Sequence, residues 1–378
     1  MPRRFNTAGP CDPADHYMLP PERRLPSVRR LIEEKAYFVV HAPRQTGKTT
    51  AFRALARRLN EEGLYAAVLA SCEAGQAAGS DVERGVAAVC DALRQAAINQ
   101  VSEPLRPPPV APSIPAETRL LDLLSRWSRQ STVAVVVLLD EIDALLNGVL
   151  VSVLGQLRTG FADRPGSFPQ SVALIGLRDV RDYRTRVRAD AETLGTSSPF
   201  NIKVESLTLR NFTVDEVAEL YEQHTAETGQ AFSPEAKALA FELTGGHPWL
   251  VNALARQAVE VEVPDRNAPI AAAHIEQAKE QLIERRDTHL DSLVDRLRET
   301  RVRRVLEPIL AGEFLAPDVL DDDVQFVKDL GLVAMEHGGL AIANPIYREV
   351  IPRALTAVLQ QSLPVPESPV KAADGTLR

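Results

Sequence analysis

HAPRQTGKTT (41–50) follows the apolar run YFVVH (37–41) and opens the helix-forming stretch TTAFRALARRLNEEG (49–63), which Gly63 stops. A loop set between a strand and a helix and closing on Gly-Lys-Thr is a phosphate-binding loop. Each residue type has its own reason to be there. Backbone N–H groups from Arg44 to Thr49 point into a concave nest at a helix N-terminus, where the helix dipole also favours an anion, so they can cradle a β-phosphate. Gly47 permits close backbone approach, Lys48 supplies a point charge to the β and γ oxygens, and the Thr49 hydroxyl is a hard oxygen ligand for Mg2+. Ala42, Pro43, Gln45, Thr46 and Thr50 complete the expected nucleotide-binding stretch. Ala42 stands where the pattern GxxxxGK[ST] has its first glycine, and an alanine is accommodated there if its φ is negative.

Working outward, YAAVLA (65–70), VAVVVLL (133–139), SVALIGL (171–177) and NIKVESLTL (201–209) read as further strands, each separated from the next by a helical stretch. The unbroken β-branched run at 133–139 signals burial on both faces, as in the middle of a parallel sheet. The expected fold is therefore α/β: a P-loop NTPase with a five-stranded parallel sheet and its ligand at the carboxyl ends of the strands. VVVLLDEID (135–143) places two carboxylates at the exit of a buried strand, where packing gives no reason for them. It reads as a Walker B motif, with Asp140 holding Mg2+ through a water and Glu141 polarising the attacking water as general base. Asp143 is open to two readings, a supporting hydrogen bond or the N-cap of a helix over 144–159.

Proline and glycine in the first residues suggest an extended N-terminal arm over 1–24 lying on the domain that follows; an α/β domain is expected over 25–210 and, where the pattern changes to helices only, a helical domain over 211–300. The stretch PLRPPPVAPSIP (104–115) is a polyproline-like surface excursion within the first domain. Helices are expected at about 213–229, 233–244, 248–261 and 274–299. The unit 301–355 reads as three helices followed by a hairpin, LVAMEHGGLAIA (332–343), in the manner of a winged helix-turn-helix, and 356–378 reads as a disordered tail.

The chain resembles the AAA-like ATPases of the STAND type, relatives of AAA+ and Orc/Cdc6 proteins, over about residues 16–353. The phosphate loop and Walker B carry the resemblance to the superfamily. GGHPWLVNALA (245–255) carries it to the branch, with Gly246, His247 and Pro248 matching the GxP motif. The resemblance implies ATP and ADP as ligands, adenine rather than guanine, and Pro248 packed beside the base. It also implies a sensor residue near the γ-phosphate at Arg178, the end of the fourth strand. Five arginines in RDVRDYRTRVR (178–188) could hold an arginine finger, although STAND proteins generally lack one acting in trans.

A net charge of −8, from 43 basic and 51 acidic residues, provides no global positive field for nucleic acid or an anionic membrane. Within 301–353 six Lys or Arg face nine Asp or Glu, so DNA is not the favoured partner of the C-terminal unit. Cys11, Cys72 and Cys90 form no CxxC pair, and no apolar run is long enough to span a bilayer; a cytoplasmic protein is expected. The favoured reading is a nucleotide-operated switch that hydrolyses ATP slowly, with a protein partner or self-association as its output. A DNA-associated ATPase of the origin-recognition or transposition-regulator kind and a scaffold clasping ADP are the other two.

Overall fold

The computed structural model describes residues 2–111, 113–177, 202–285, 288–315, 321–336 and 338–362. Five strands, β1 (Tyr37–His41), β2 (Tyr65–Ser71), β3 (Ala134–Asp140), β4 (Ser171–Gly176) and β5 (Lys203–Thr208), form one parallel sheet in the order β2-β3-β4-β1-β5. Alternation along β1 explains why it is central. Tyr37 and Val39 enter the core on one face, and Phe38 and Val40 enter the core on the other. The first face is covered by α3 (Val82–Gln100), α4 (Ala116–Gln130) and α5 (Asn147–Gly160). The second is covered by α1 (Ser27–Glu33) and α2 (Lys48–Glu61). Pairing of His41 with Gly176 and of Ser71 with Asp140 aligns the carboxyl ends of the strands. The proline-rich excursion is tied to this layer, with Trp127 Nε1 donating to Leu105 O at 2.7 Å and Arg126 Nη2 to Pro109 O at 3.1 Å.

Beyond β5 the described chain is helical: α6 (Val214–Thr228), α7 (Pro234–Thr244), α8 (Pro248–Gln257) with a π-helical turn at Ala258–Glu262, α9 (Ala272–Arg285), α10 (Thr288–Leu297) and α11 (Thr300–Leu310). α6 opens on a capping box in which Thr213 and Glu216 satisfy each other's backbone N–H. The single long helix expected near 274–299 is two helices, α9 and α10, flanking residues 286–287, which lie outside the described set. In the C-terminal unit α12 (Asp322–Asp329) leads into the antiparallel hairpin β6 (Val333–Glu336) and β7 (Gly339–Ile342), and α13 (Pro345–Ser362) follows. Among the described residues, two helices of that unit precede the hairpin and one follows it. α13 also continues to Ser362, into the stretch expected to lack order. Ala, Leu and Gln favour the helix there. Residues 363–378 lie outside the described set.

The N-terminal arm differs from expectation in its partner. Phe5, Tyr17 and Leu19 are buried in the core of the helical domain with Val217, Tyr221 and Phe232, and Phe5 packs 4.8 Å from Tyr17 ring to ring. The reason is apolar area: three large side chains in an otherwise proline- and glycine-rich segment gain by leaving water. Among the described residues, no helix is long and apolar enough to cross a membrane.

Candidate nucleotide-binding cleft

Past His41, Ala42 N donates to Gly176 O at 3.3 Å, tying the start of the loop to the end of β4. The loop then turns through Gln45 at φ +59° and Gly47 at φ +87°, while Ala42 stays outside the positive-φ set, as its side chain requires. Thr46 Oγ1 donates to Pro43 O at 2.8 Å and fixes the curvature. Lys48 is 9% exposed, and its ammonium donates to Ala42 O at 2.7 Å and Pro43 O at 2.8 Å. Two of its three donors thus anchor it, and the third remains for an anion. Desolvation pulls its pKa down, opposed by the charges of Glu141, Asp143 and Asp140.

At the first turn of α2, Thr49 Oγ1 donates to Asp140 Oδ2 at 2.6 Å. The other carboxylate oxygen accepts from Glu141 N at 3.0 Å. A hydroxyl and a carboxylate in contact at the edge of an anion nest are the hard oxygen donors that suit Mg2+. Asp140 is 2% exposed, and burial raises its pKa against the lowering effect of Thr49, the Glu141 N–H and Lys48. Glu141 occupies the left-handed region at φ +55°, a conformation that a non-glycine residue adopts at a cost. Burial, then Asp140 and Asp143, raise its pKa. Asp143 does not cap the following helix: α5 begins at Asn147, after Leu146, with no side-chain cap. Its Oδ1 instead accepts from Leu177 N at 3.0 Å, tying the Walker B turn to the end of β4. Arg178 and the arginine-rich stretch to 188 lie outside the described residues.

Arg44, Gln45 and Gly47 to Thr50 of the loop, with Glu73, Glu141, Asp143 and Leu177, line a cleft of about 370 Å3, which the buried Asp140 reaches only through Thr49. Its remaining wall comes from elsewhere in the chain: Pro248, Trp249 and Asn252 of α8, and the arm from Asn6 to Cys11. Pro248 starts α8, after Gly245 at φ +56° and Gly246 at φ +70°. His247, between Gly246 and Pro248, is buried, and desolvation pushes its pKa down to about 4 against the raising influence of the Arg44 backbone. The arm is pinned on both sides. Cys11 N donates to Thr50 Oγ1 at 3.0 Å, and Thr7 accepts from Trp249 Nε1 and Arg256 Nη1, each at 2.8 Å.

Sequence reasoning named the loop and Walker carboxylates and assigned Pro248 by resemblance. Arg44, Gln45, Gly47 to Thr50, Glu141 and Pro248 line the cleft, whereas Ala42, Pro43 and Asp140 support its lining residues through hydrogen bonds and Thr46 in turn bonds to Pro43. Sequence reasoning missed the arm, Trp249 and Asn252. The available signal was Phe5 and Tyr17, two aromatics in a segment whose prolines and glycines otherwise suggest an extended arm lying on the domain.

The AAA-like domain model matches residues 17–350, and the chain belongs to that family. The Walker-type ATPase PABY2304 of Pyrococcus abyssi is 16% identical with a TM-score of 0.65, over 92% of this chain and 99% of its own. The Aeropyrum pernix ORC2 protein, solved in ADPNP and ADP complexes, is 13% identical with a TM-score of 0.52, over 89% and 93%. Cdc6p of Pyrobaculum aerophilum is 15% identical with a TM-score of 0.50, over 94% and 98%. At these identities what is shared is the fold. No curated protein matches the chain.

Proposed function

We propose that this chain is an Mg2+-dependent ATPase in which ATP or ADP, bound between the α/β domain and the helical domain, sets the relation between the two. The observation that carries the reading is the composition of the cleft: a phosphate loop whose Thr49 is bonded to the buried Asp140 on one wall, and α8 with the N-terminal arm on the other. Bound Mg2+, held by Thr49 and through water by Asp140, would neutralise charge developing on the transferred phosphoryl group. The chain's own residues do the rest. The loop N–H groups and Lys48 hold the phosphates, and Glu141 takes the proton of the attacking water, its raised pKa suiting a general base. Pro248 packs against the nucleoside, so exchange of ATP for ADP is felt by the helical domain. Arg178, two positions past β4 in the sequence, is the proposed sensor.

The C-terminal unit, read as a winged helix, serves a protein contact or the nucleotide response itself. Arg301 and Arg304 pair with Asp321 and Asp323, which neutralises the local cations that a DNA phosphate would need. The test is phosphate release from Mg·ATP by the wild type, Lys48→Ala and Glu141→Gln, with nucleotide binding measured in parallel. Loss of turnover in both, with binding kept in Glu141→Gln, is expected. A wild type that neither binds nor hydrolyses Mg·ATP overturns the reading.

A further inference from the structure

Arg24, on the short turn Pro21–Arg24 that ends the arm, is 7% exposed. Its Nε donates to Arg210 O at 2.8 Å, Nη2 donates to the same oxygen, and its guanidinium carbon lies 4.9 Å from the centre of the Phe212 ring. Among the described residues it forms no ion pair: Glu216, the carboxylate whose charge reaches it, is taken by Arg210 and by the Thr213 cap. A buried cation without a carboxylate is costly, and purely structural arginines of this burial are normally paired. The remaining nitrogen points to the phosphate loop: a Cβ placed on Gly47 would lie 3.5 Å from Nη1. Gly47 is the N-cap of α2, so this nitrogen lies beside the positive end of that helix, where the local field favours an anion.

The same guanidinium touches the connection between the domains. Residues 209–213 join β5 to α6, and they clasp the turn before Pro248: Phe212 N donates to Gly246 O at 2.9 Å and Asn211 Nδ2 to Gly245 O at 3.1 Å. A Cβ on Gly246 would fall 2.0 Å from Phe212 O, so the two backbones are in direct contact.

We propose that Arg24 is a positioning residue coupling the phosphate loop to the interdomain connection, and that phosphate in the loop supplies the charge its guanidinium lacks. Its fork then holds Arg210 O and the Phe212 ring, and through them the seat of Pro248. Coupling of this kind is reciprocal, so a firmly held connection also favours phosphate binding. The proposal rests on the reading of the cleft as a nucleotide site.

The test is hydrogen exchange of backbone amides in 209–214 and 245–247, with and without Mg·ADP, in wild type, Arg24→Met and Arg24→Lys, beside equilibrium binding of Mg·ADP. In wild type, Mg·ADP should slow exchange in both segments. Arg24→Met should bind about tenfold more weakly, the scale of one partly desolvated charge, and its exchange should no longer respond at saturation. Arg24→Lys keeps the charge and loses the fork, so affinity should largely remain while the exchange response is lost. A response equal to wild type in either folded variant overturns the proposal, as does a wild type that binds Mg·ADP without any change in these amides. If Arg24→Met does not fold, Arg24→Lys decides. A wild type that binds no nucleotide would instead remove the reading of the cleft.

Discussion

Asp140 is placed where an ionised carboxylate is poorly solvated, and its pKa is raised chiefly for that reason. The folded chain therefore holds its proton more tightly than the unfolded chain, and the stabilisation present at low pH is lost as pH rises through the raised pKa. Asp140→Asn keeps an acceptor for Thr49 and removes the charge. At neutral pH without nucleotide it should unfold at a higher temperature than wild type while losing Mg2+-dependent nucleotide binding, which calorimetry with and without Mg·ATP would check. Glu141 needs to be ionised to act as base, so turnover should rise with pH through a value above the ordinary carboxylate range and then level off. Glu141→Gln should lower phosphate release by about a hundredfold or more and remove that rise. These residues were legible in the sequence because the loop and the Walker B strand are each contiguous, and each group's chemistry is set by its nearest neighbours. Asp143 was not settled, because its partner Leu177 lies 34 residues away.

Among the elements, the turn between α7 and α8 carries the tightest constraint. Gly246 combines φ +70° with a neighbour 2.0 Å from any added Cβ, and that neighbour is backbone, which cannot rotate aside. Gly246→Ala should cost roughly 2 kcal/mol or more, through both conformational strain and a forced opening at Phe212. Gly229→Ala, at φ +80° with open space around it, isolates the conformational part and should cost about 1 kcal/mol. Urea unfolding of the pair would measure the difference; equal costs would mean that the contact with Phe212 carries no load. The helices themselves were readable from apolar spacing and caps. Strand order was not, because βαβ connectivity fixes only that neighbours are parallel, while the position of β1 between β4 and β5 depends on how the two apolar faces are shared out.

For the molecule as a whole, the arm joins regions that the sequence suggested were separate. Phe5 is 2% exposed among Tyr17, Tyr221 and Phe232, yet it does not line the cleft that the next six residues border. Phe5→Ala should cost about 3 kcal/mol, and it should also weaken nucleotide binding because Asn6–Cys11 lose their anchor. Thermal unfolding and equilibrium dialysis against Mg·ATP would test the two effects together. Unchanged affinity in the folded variant would show that the arm borders the cleft without supporting it. This arrangement was illegible in advance because it depends on contacts more than 200 residues apart, such as Trp249 with Thr7.

That separation has a consequence on the ribosome. Thr7 is synthesised before its partners Trp249 and Arg256, which come some 240 positions later. At bacterial-like elongation rates of about 5–20 residues per second, the arm must wait on the order of ten to fifty seconds with its aromatics uncovered. The sheet and its phosphate loop can form within that interval, but the cleft is closed only when the arm docks onto α8, made much later. A nascent chain stalled before Arg256 would thus carry a formed loop with one wall missing.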